Sequence, residues 1–148
     1  MAKELQIVGF RVGQETFGVP IASVQEILRP LPVTPVPGVP PHVEGVINLR
    51  GRIVSVVDLR KRCGAPAESH RRNRIVVAET EGRRIGLMVD SASEVLRIAE
   101  NTIEPPASVF GEAEPGFVTG VAKLANRLVI LVDLAKLLAS GSTPPEAQ

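Results

Sequence analysis

Two aspartates, Asp58 and Asp133, stand at matching places in the segments VVDLRK and LVDLAK, and a pair of carboxylates is the least equipment that general acid–base chemistry needs. Each precedes a short run of helical character, and a carboxylate just ahead of a helix accepts hydrogen bonds from the open amides of its first turn. The spacing predicts two helix caps, not a catalytic pair. Cys63 is the single cysteine. It follows the basic run LRKR, which favours a thiolate, but no general base stands near it in sequence, so an unreactive thiol is expected and an internal disulfide is excluded. His42 and His70 flank turns, form no metal-ligand spacing with Cys63 and have no triad companions. Neither a P-loop nor a GxGxxG run occurs. The expectation is a chain with no catalytic residue, no metal and no cofactor.

Two other charges are isolated inside apolar runs: Glu26 in SVQEIL and Arg50 in GVINLRGRIV. A carboxylate and a guanidinium join in a bidentate pair, and a Glu26–Arg50 pair is expected to fix the bend formed by Asn48, Leu49, Arg50 and Gly51. Val24, Ile27, Ile47 and Leu49 flank these charges. Together with Asn48 and Gly51 they are candidates for an exposed surface around the bend. Against that role stands the ordinary fate of β-branched residues on strands, which is the core.

The elements that position these residues read as strands. Short Val- and Ile-rich runs such as LQIVGF, RIVVAE and RLVILVD recur between Gly, Pro, Asn or charged turns, and no intervening segment has the length and period of a crossover helix. The pattern predicts a mostly β chain, barrel or sandwich, with two short helices after Asp58 and Asp133. Residues 30–41, PLPVTPVPGVPP, are too rich in proline for a central strand or a helix interior. They read as a stiff connector wrapping a barrel, with recognition by an aromatic-lined groove as the alternative. The tail SGSTPPEAQ, from residue 140, has no apolar content to bury and is expected to be disordered.

The chain also repeats itself. FGVPIASVQEILR, starting at residue 17, matches IGLMVDSASEVLR, starting at residue 85, and VEGVINLRGRIVSVVDLRK, from residue 43, matches VTGVAKLANRLVILVDLAK, from residue 118. Two copies of a unit of about five strands imply two small β modules, in halves of about 5–64 and 73–139, which either close on themselves or exchange chain. In the second copy the bend is Lys123-Leu124-Ala125-Asn126. Gly51 and Asn126 both tolerate positive φ, whereas Arg50 faces Ala125, so the shared fold alone does not call for a guanidinium there.

With 17 basic and 16 acidic residues in 148, long-range attraction to nucleic acid or acidic lipid is not expected. The local exception is HRRNR, residues 70–74. It reads as a solvated loop, because the chain has no Trp or Tyr and only four Phe for base stacking. No run approaches the ~20 apolar residues of a membrane span, and a lone cysteine suits a reducing compartment, so a cytoplasmic protein without membrane insertion is expected.

The motifs V-x-G-V-I-N-L-R-G-x-I-V-x-V-V-D-L-R, I-x-x-V-Q-E-I-L-R, the V-P-x-x-P connector and G-L-M-V-D-x-x-x-E-V resemble the CheW family, the coupling proteins of bacterial chemosensory arrays, from about Leu5 to Leu138. Ser55 departs from that family's pattern, standing where many members carry Pro. The resemblance implies two pseudo-repeated SH3-like five-stranded β-barrels sharing an apolar interface, with short helices including one near the C-terminus, in a single domain of residues 1–139. It implies an adaptor without catalysis that joins the cytoplasmic tip of methyl-accepting receptors to the regulatory domain of the histidine kinase CheA, with CheW–CheW ring contacts, at membrane-associated arrays. Coupling in a pili-motility or surface-sensing pathway is an alternative, and a nucleic-acid-binding β-barrel a more distant one. On this reading Val24, Glu26, Ile27, Ile47, Asn48, Leu49, Arg50 and Gly51 form the receptor-binding groove. Kinase contacts are placed only by region, in the loops at residues 13–16, 63–72 and 112–116.

Overall fold

The computed structural model describes residues 3–67, 71–111, 116–124 and 126–139. The tail from residue 140, His70, Ala125 and most of the 112–116 loop lie outside them.

The Val- and Ile-rich runs form eleven strands among the described residues: β1 (Glu4–Val12), β2 (Glu15–Pro20), β3 (Val24–Leu28), β4 (Val43–Leu49), β5 (Arg52–Asp58), β6 (Arg74–Thr80), β7 (Arg83–Val89), β8 (Ser91–Ala99), β9 (Ile103–Glu104), β10 (Val118–Leu124) and β11 (Arg127–Val132). Helices α1 (Leu59–Arg62) and α3 (Leu134–Ala139) follow the two aspartates. A further helix, α2 (Pro106–Phe110), was not expected; Pro106 sits at its start, where the missing amide is no loss.

The chain is mostly β, in two sheets. One runs β3-β6-β7-β5-β4 and the other β8-β1-β2-β11-β10-β9. Aligned through the repeat, these are the same order, with β9 as a sixth strand that adds two residue pairs, Glu104 with Val121 and Ile103 with Ala122. Each sheet therefore takes one hairpin from the other sequence copy: β6–β7 sits with β3, β4 and β5, while β1–β2 sits with β8, β10 and β11. Accordingly one compact unit covers Arg11–Gly13 and Ala22–Ala92, and the other the flanking segments. In each sheet the borrowed hairpin joins through a parallel pair, β5 with β7 and β11 with β2.

Both sheets curl. In the first, Leu28 on edge strand β3 packs against a core of Ile47, Leu49, Val54, Val56, Ile75 and Val77, which includes residues of the opposite edge strand, β4. In the second, Ile7, Ile98, Ala122, Val129 and Leu131 form the matching cluster. This closure is consistent with the SH3-like barrels that the resemblance implies.

The proline-rich connector covers an edge of the first sheet. Thr34 exchanges two backbone hydrogen bonds with Val46 of β4, at 2.8 and 2.9 Å, so part of an otherwise open strand is paired. Gly45 permits the approach: its φ is 142°, and a Cβ there would overlap the Thr34 carbonyl. Gly45→Ala is therefore expected to cost more than about 3 kcal/mol in urea denaturation. Gly38→Ala, at φ 87° with nothing within 4 Å of the added carbon, is expected to cost only about 1–2 kcal/mol.

Candidate functional site

The β4–β5 hairpin closes through Arg50 and Gly51, with Leu49 opposite Arg52. Both turn residues have positive φ, 51° and 84°, the signature of a type I′ two-residue turn, whose twist matches that of the flanking strands. Asn48 supports it by accepting a hydrogen bond from the Gly51 amide at 2.9 Å. The left-handed conformation alone does not mark Arg50, since Glu81 (φ 51°) and Gly82 (φ 75°) turn the β6–β7 hairpin the same way. The side chain does mark it. The Arg50 guanidinium pairs with the Glu26 carboxylate while remaining 68% exposed, against 29% for Glu26. That hydrogen bond raises the guanidinium above its ordinary pKa. Because β3 and β4 are opposite edges of the sheet, the ion pair bridges the closure.

The repeat uses the same device differently. Glu94, the counterpart of Glu26, binds Arg127 through two hydrogen bonds, at 2.6 and 3.1 Å. Arg127 occupies the place of Arg52, the first strand residue after the turn, opposite Leu124, and the bond to Glu94 raises its pKa likewise. A strand-to-hairpin staple is thus common to both sheets, but in the first it is moved out to the tip of the turn.

The remaining candidate residues divide. Ile47 and Leu49 do not line a groove: they are 1% and 6% exposed, in the core, because β4 alternates faces and their side chains point inward. Val24 is half-buried, and Ile27, exposed, alternates with the half-buried Glu26 on β3. The exposed residues of the hairpin include Asn48, Arg50, Gly51, Arg52, Ser55 and Ile53, the last lying opposite Asn48 and 70% exposed. Ile53 was not singled out from sequence, although the period of two that buries Leu49 and Val54 places it outside. Its repeat counterpart, Leu128, is also exposed.

Asp58 and Asp133 cap their helices. Asp58 accepts from the Arg60 amide at 3.0 Å and Asp133 from the Lys136 amide at 3.1 Å. Asp58 does more: it is buried, and both its oxygens accept from the buried Arg60 guanidinium at 2.9 Å. Arg60 also stands 3.5 Å from Asp90, whose other oxygen accepts from the Gly13 amide at 2.6 Å. The hydrogen bond to Asp58 holds Arg60 above its usual pKa. The contrast of Arg60 with Ala135 in the repeat was the available signal for this network.

Burial pushes the Cys63 thiol up, against the pull of Arg62, so the basic run does not create a thiolate. Burial, then the nearby Arg62, lowers His42. Thr16, in one of the loops assigned to kinase contact, is buried on β2. Among the described residues, no group of three or more His, Cys, Asp or Glu could hold a metal ion, and no helix is long and apolar enough to cross a membrane.

Charges that staple strands and a turn that presents one of them to solvent define a β-barrel protein of the binding-module class. The sequence profile of the CheW-like domain matches residues 6–142. The chain is 38% identical to "Chemotaxis protein CheW" of Rhizobium meliloti (strain 1021) over 136 residues, covering 91% of this chain and 88% of that one. It is 33% identical to "Chemotaxis protein CheW" of Thermotoga maritima over 138 residues, 92% of this chain and 89% of the relative. Its fold is similar to the crystal structure of scaffolding protein TtCheW from Thermoanaerobacter tengcongensis, with a TM-score of 0.86 and 35% identity over 99% of this chain and 100% of that one. The chain belongs to the CheW-like domain family.

Removing Arg60 leaves the buried Asp58 and the half-buried Asp90 without their cation. Arg60→Ala is expected to cost about 3–5 kcal/mol in urea denaturation at neutral pH. Asp133→Ala, which removes only a cap, is expected to cost about 1 kcal/mol. Equal losses would show that the buried network is not a structural unit.

Proposed function

We propose that this protein is a non-catalytic adaptor of a bacterial chemosensory array, joining the cytoplasmic tip of methyl-accepting receptors to the regulatory domain of the histidine kinase CheA. The observation that carries the reading is the match to chemotaxis and scaffolding CheW proteins along nearly the whole chain. The geometry supports it at one place. The β4–β5 turn holds an exposed guanidinium beside an exposed Ile53, a charged and an apolar contact on one rigid hairpin. Glu26 restrains the Arg50 side chain, which lowers the rotamer entropy lost on docking.

The receptor-facing surface on this reading is Glu26, Asn48, Arg50, Gly51 and Ile53, with Val24 and Ile27 on the adjoining strand. Ile47 and Leu49 serve from beneath, by packing the hairpin. A second surface takes the kinase, and further copies of this chain take part in ring contacts. Simultaneous occupancy of two sites raises the kinase's effective concentration at the receptor. Action is cytoplasmic, at the membrane through receptors rather than by insertion.

Kinase autophosphorylation on membranes bearing the cognate receptor tests this. Wild-type protein is expected to stimulate CheA strongly, and Arg50→Ala to lose at least about tenfold of that stimulation while its thermal unfolding stays close to wild type. No stimulation by folded wild-type protein would overturn the adaptor reading. Full stimulation by Arg50→Ala would remove the turn from the receptor surface.

A further inference from the structure

The basic segment that opens β6 plays no part in the adaptor reading. Its described residues are Arg71, Arg72, Asn73 and Arg74. Strands β3 and β6 are antiparallel with Leu28 opposite Ile75, so the next step of the register brings Arg29 toward Arg74. Arg29, Pro30, Arg71, Arg72 and Arg74 line a recess of about 490 Å³, and none of these lining residues carries a carboxylate. Like charges facing one another across a strand pair are destabilising. The chain's formal charge is only +1, so four arginines at one recess are not a by-product of a basic composition.

The recess is held in shape before any ligand arrives. Asn73 is buried, and its side-chain amide donates to the Asp90 carbonyl at 3.3 Å. Arg74 donates to the carbonyls of Arg71 at 2.9 Å and Asn73 at 2.7 Å, which fixes the loop that carries Arg71 and Arg72. Pro30 restricts the backbone beside Arg29. Groups ordered in advance lose less entropy on binding.

We propose that this recess binds a compact polyanion carrying two or more linked phosphates, of the di- or triphosphate class. Guanidinium forks meet phosphate oxygens two N–H groups at a time. The volume is that of a small-ligand site, and a concave recess fits a compact ligand better than a flat bilayer. None of the lining residues is aromatic, so base stacking, which single-stranded nucleic acid binding relies on, is not offered. The proposal goes beyond the adaptor reading and does not rest on it.

The test is isothermal titration of the full chain with inorganic pyrophosphate at low ionic strength. One-to-one binding is expected, weakening as salt is added. A double variant, Arg29→Glu with Arg71→Glu, is expected to bind at least about tenfold more weakly while its thermal unfolding remains cooperative. Arg11→Glu with Arg97→Glu makes the same charge change at exposed positions on β1 and β8 and is expected to leave the affinity unchanged. Equal loss in the two double variants would overturn the proposal, as would no binding by wild type or orthophosphate binding as tightly as pyrophosphate. Sedimentation with phosphatidylglycerol vesicles that pyrophosphate does not compete away would assign the recess to a bilayer instead and overturn it equally.

Discussion

The buried guanidinium of Arg60, held between Asp58 and Asp90, is the interaction on which the first sheet depends. Strands β5 and β7 run parallel, with Asp58 opposite Met88, and parallel neighbours have no tight turn to set their register. Asp58 closes β5 and Asp90 follows β7, so one cation ties the ends of both strands. Asp90 also accepts a hydrogen bond from the Gly13 amide. Taking the Asp58 and Arg60 charges out of water costs several kcal/mol per ion unless each is fully partnered, so the network stabilises the sheet only as a complete set. The second sheet has the same parallel join, β2 with β11, and carries Ala135 where Arg60 would stand. There Asp133 keeps only the cap and the backbone bond from its amide to the Phe117 carbonyl, which matches the bond from Asp58 to His42.

With that join secure, the two charge staples have different freedom. Arg127 is the first residue of β11, and its pair with Glu94 fastens β8 to β11. Glu26 and Arg50 perform the same closure from the tip of a turn, where the guanidinium is open to solvent on one side and restrained on the other. A left-handed arginine would be unremarked in this sheet, because Glu81 does the same. On the proposed function its value comes from position: a paired cation on the hairpin that also carries the exposed Ile53 and whose inward residues Ile47, Leu49 and Val54 lie in the core.

Much of this was legible in the sequence. The strand runs, the internal repeat, both helix caps and the β architecture follow from local alternation and turn chemistry. The sorting of Ile47 and Leu49 into the core was legible too, since the alternation that places Asn48 outside places both of them inside. Proximity in sequence to two isolated charges suggested a groove, and in a strand such proximity puts neighbours on opposite faces. What local pattern does not carry is which sheet a hairpin joins: β1–β2 and β6–β7 are equally amphipathic and would complete either copy. Nor does it carry the partner of Arg60 on β7's far side, Asp90, thirty residues away; only the Arg60 to Ala135 contrast hinted that this charge had work in one copy alone. Helix α2 is a single short turn, too brief for a period to register.

On the proposed function, the Glu26–Arg50 pair serves recognition, whereas the Asp58–Arg60–Asp90 network serves folding. The most direct measurement is a double-mutant cycle on Glu26 and Arg50, read twice on the same proteins: once in urea denaturation and once in affinity for a receptor-tip fragment. The two residues are expected to be coupled in binding, with the double variant no weaker than Arg50→Ala, and their coupling in folding is expected to be small by comparison. Strong coupling in folding with additive losses in binding would contradict this, and would leave the pair a purely structural role.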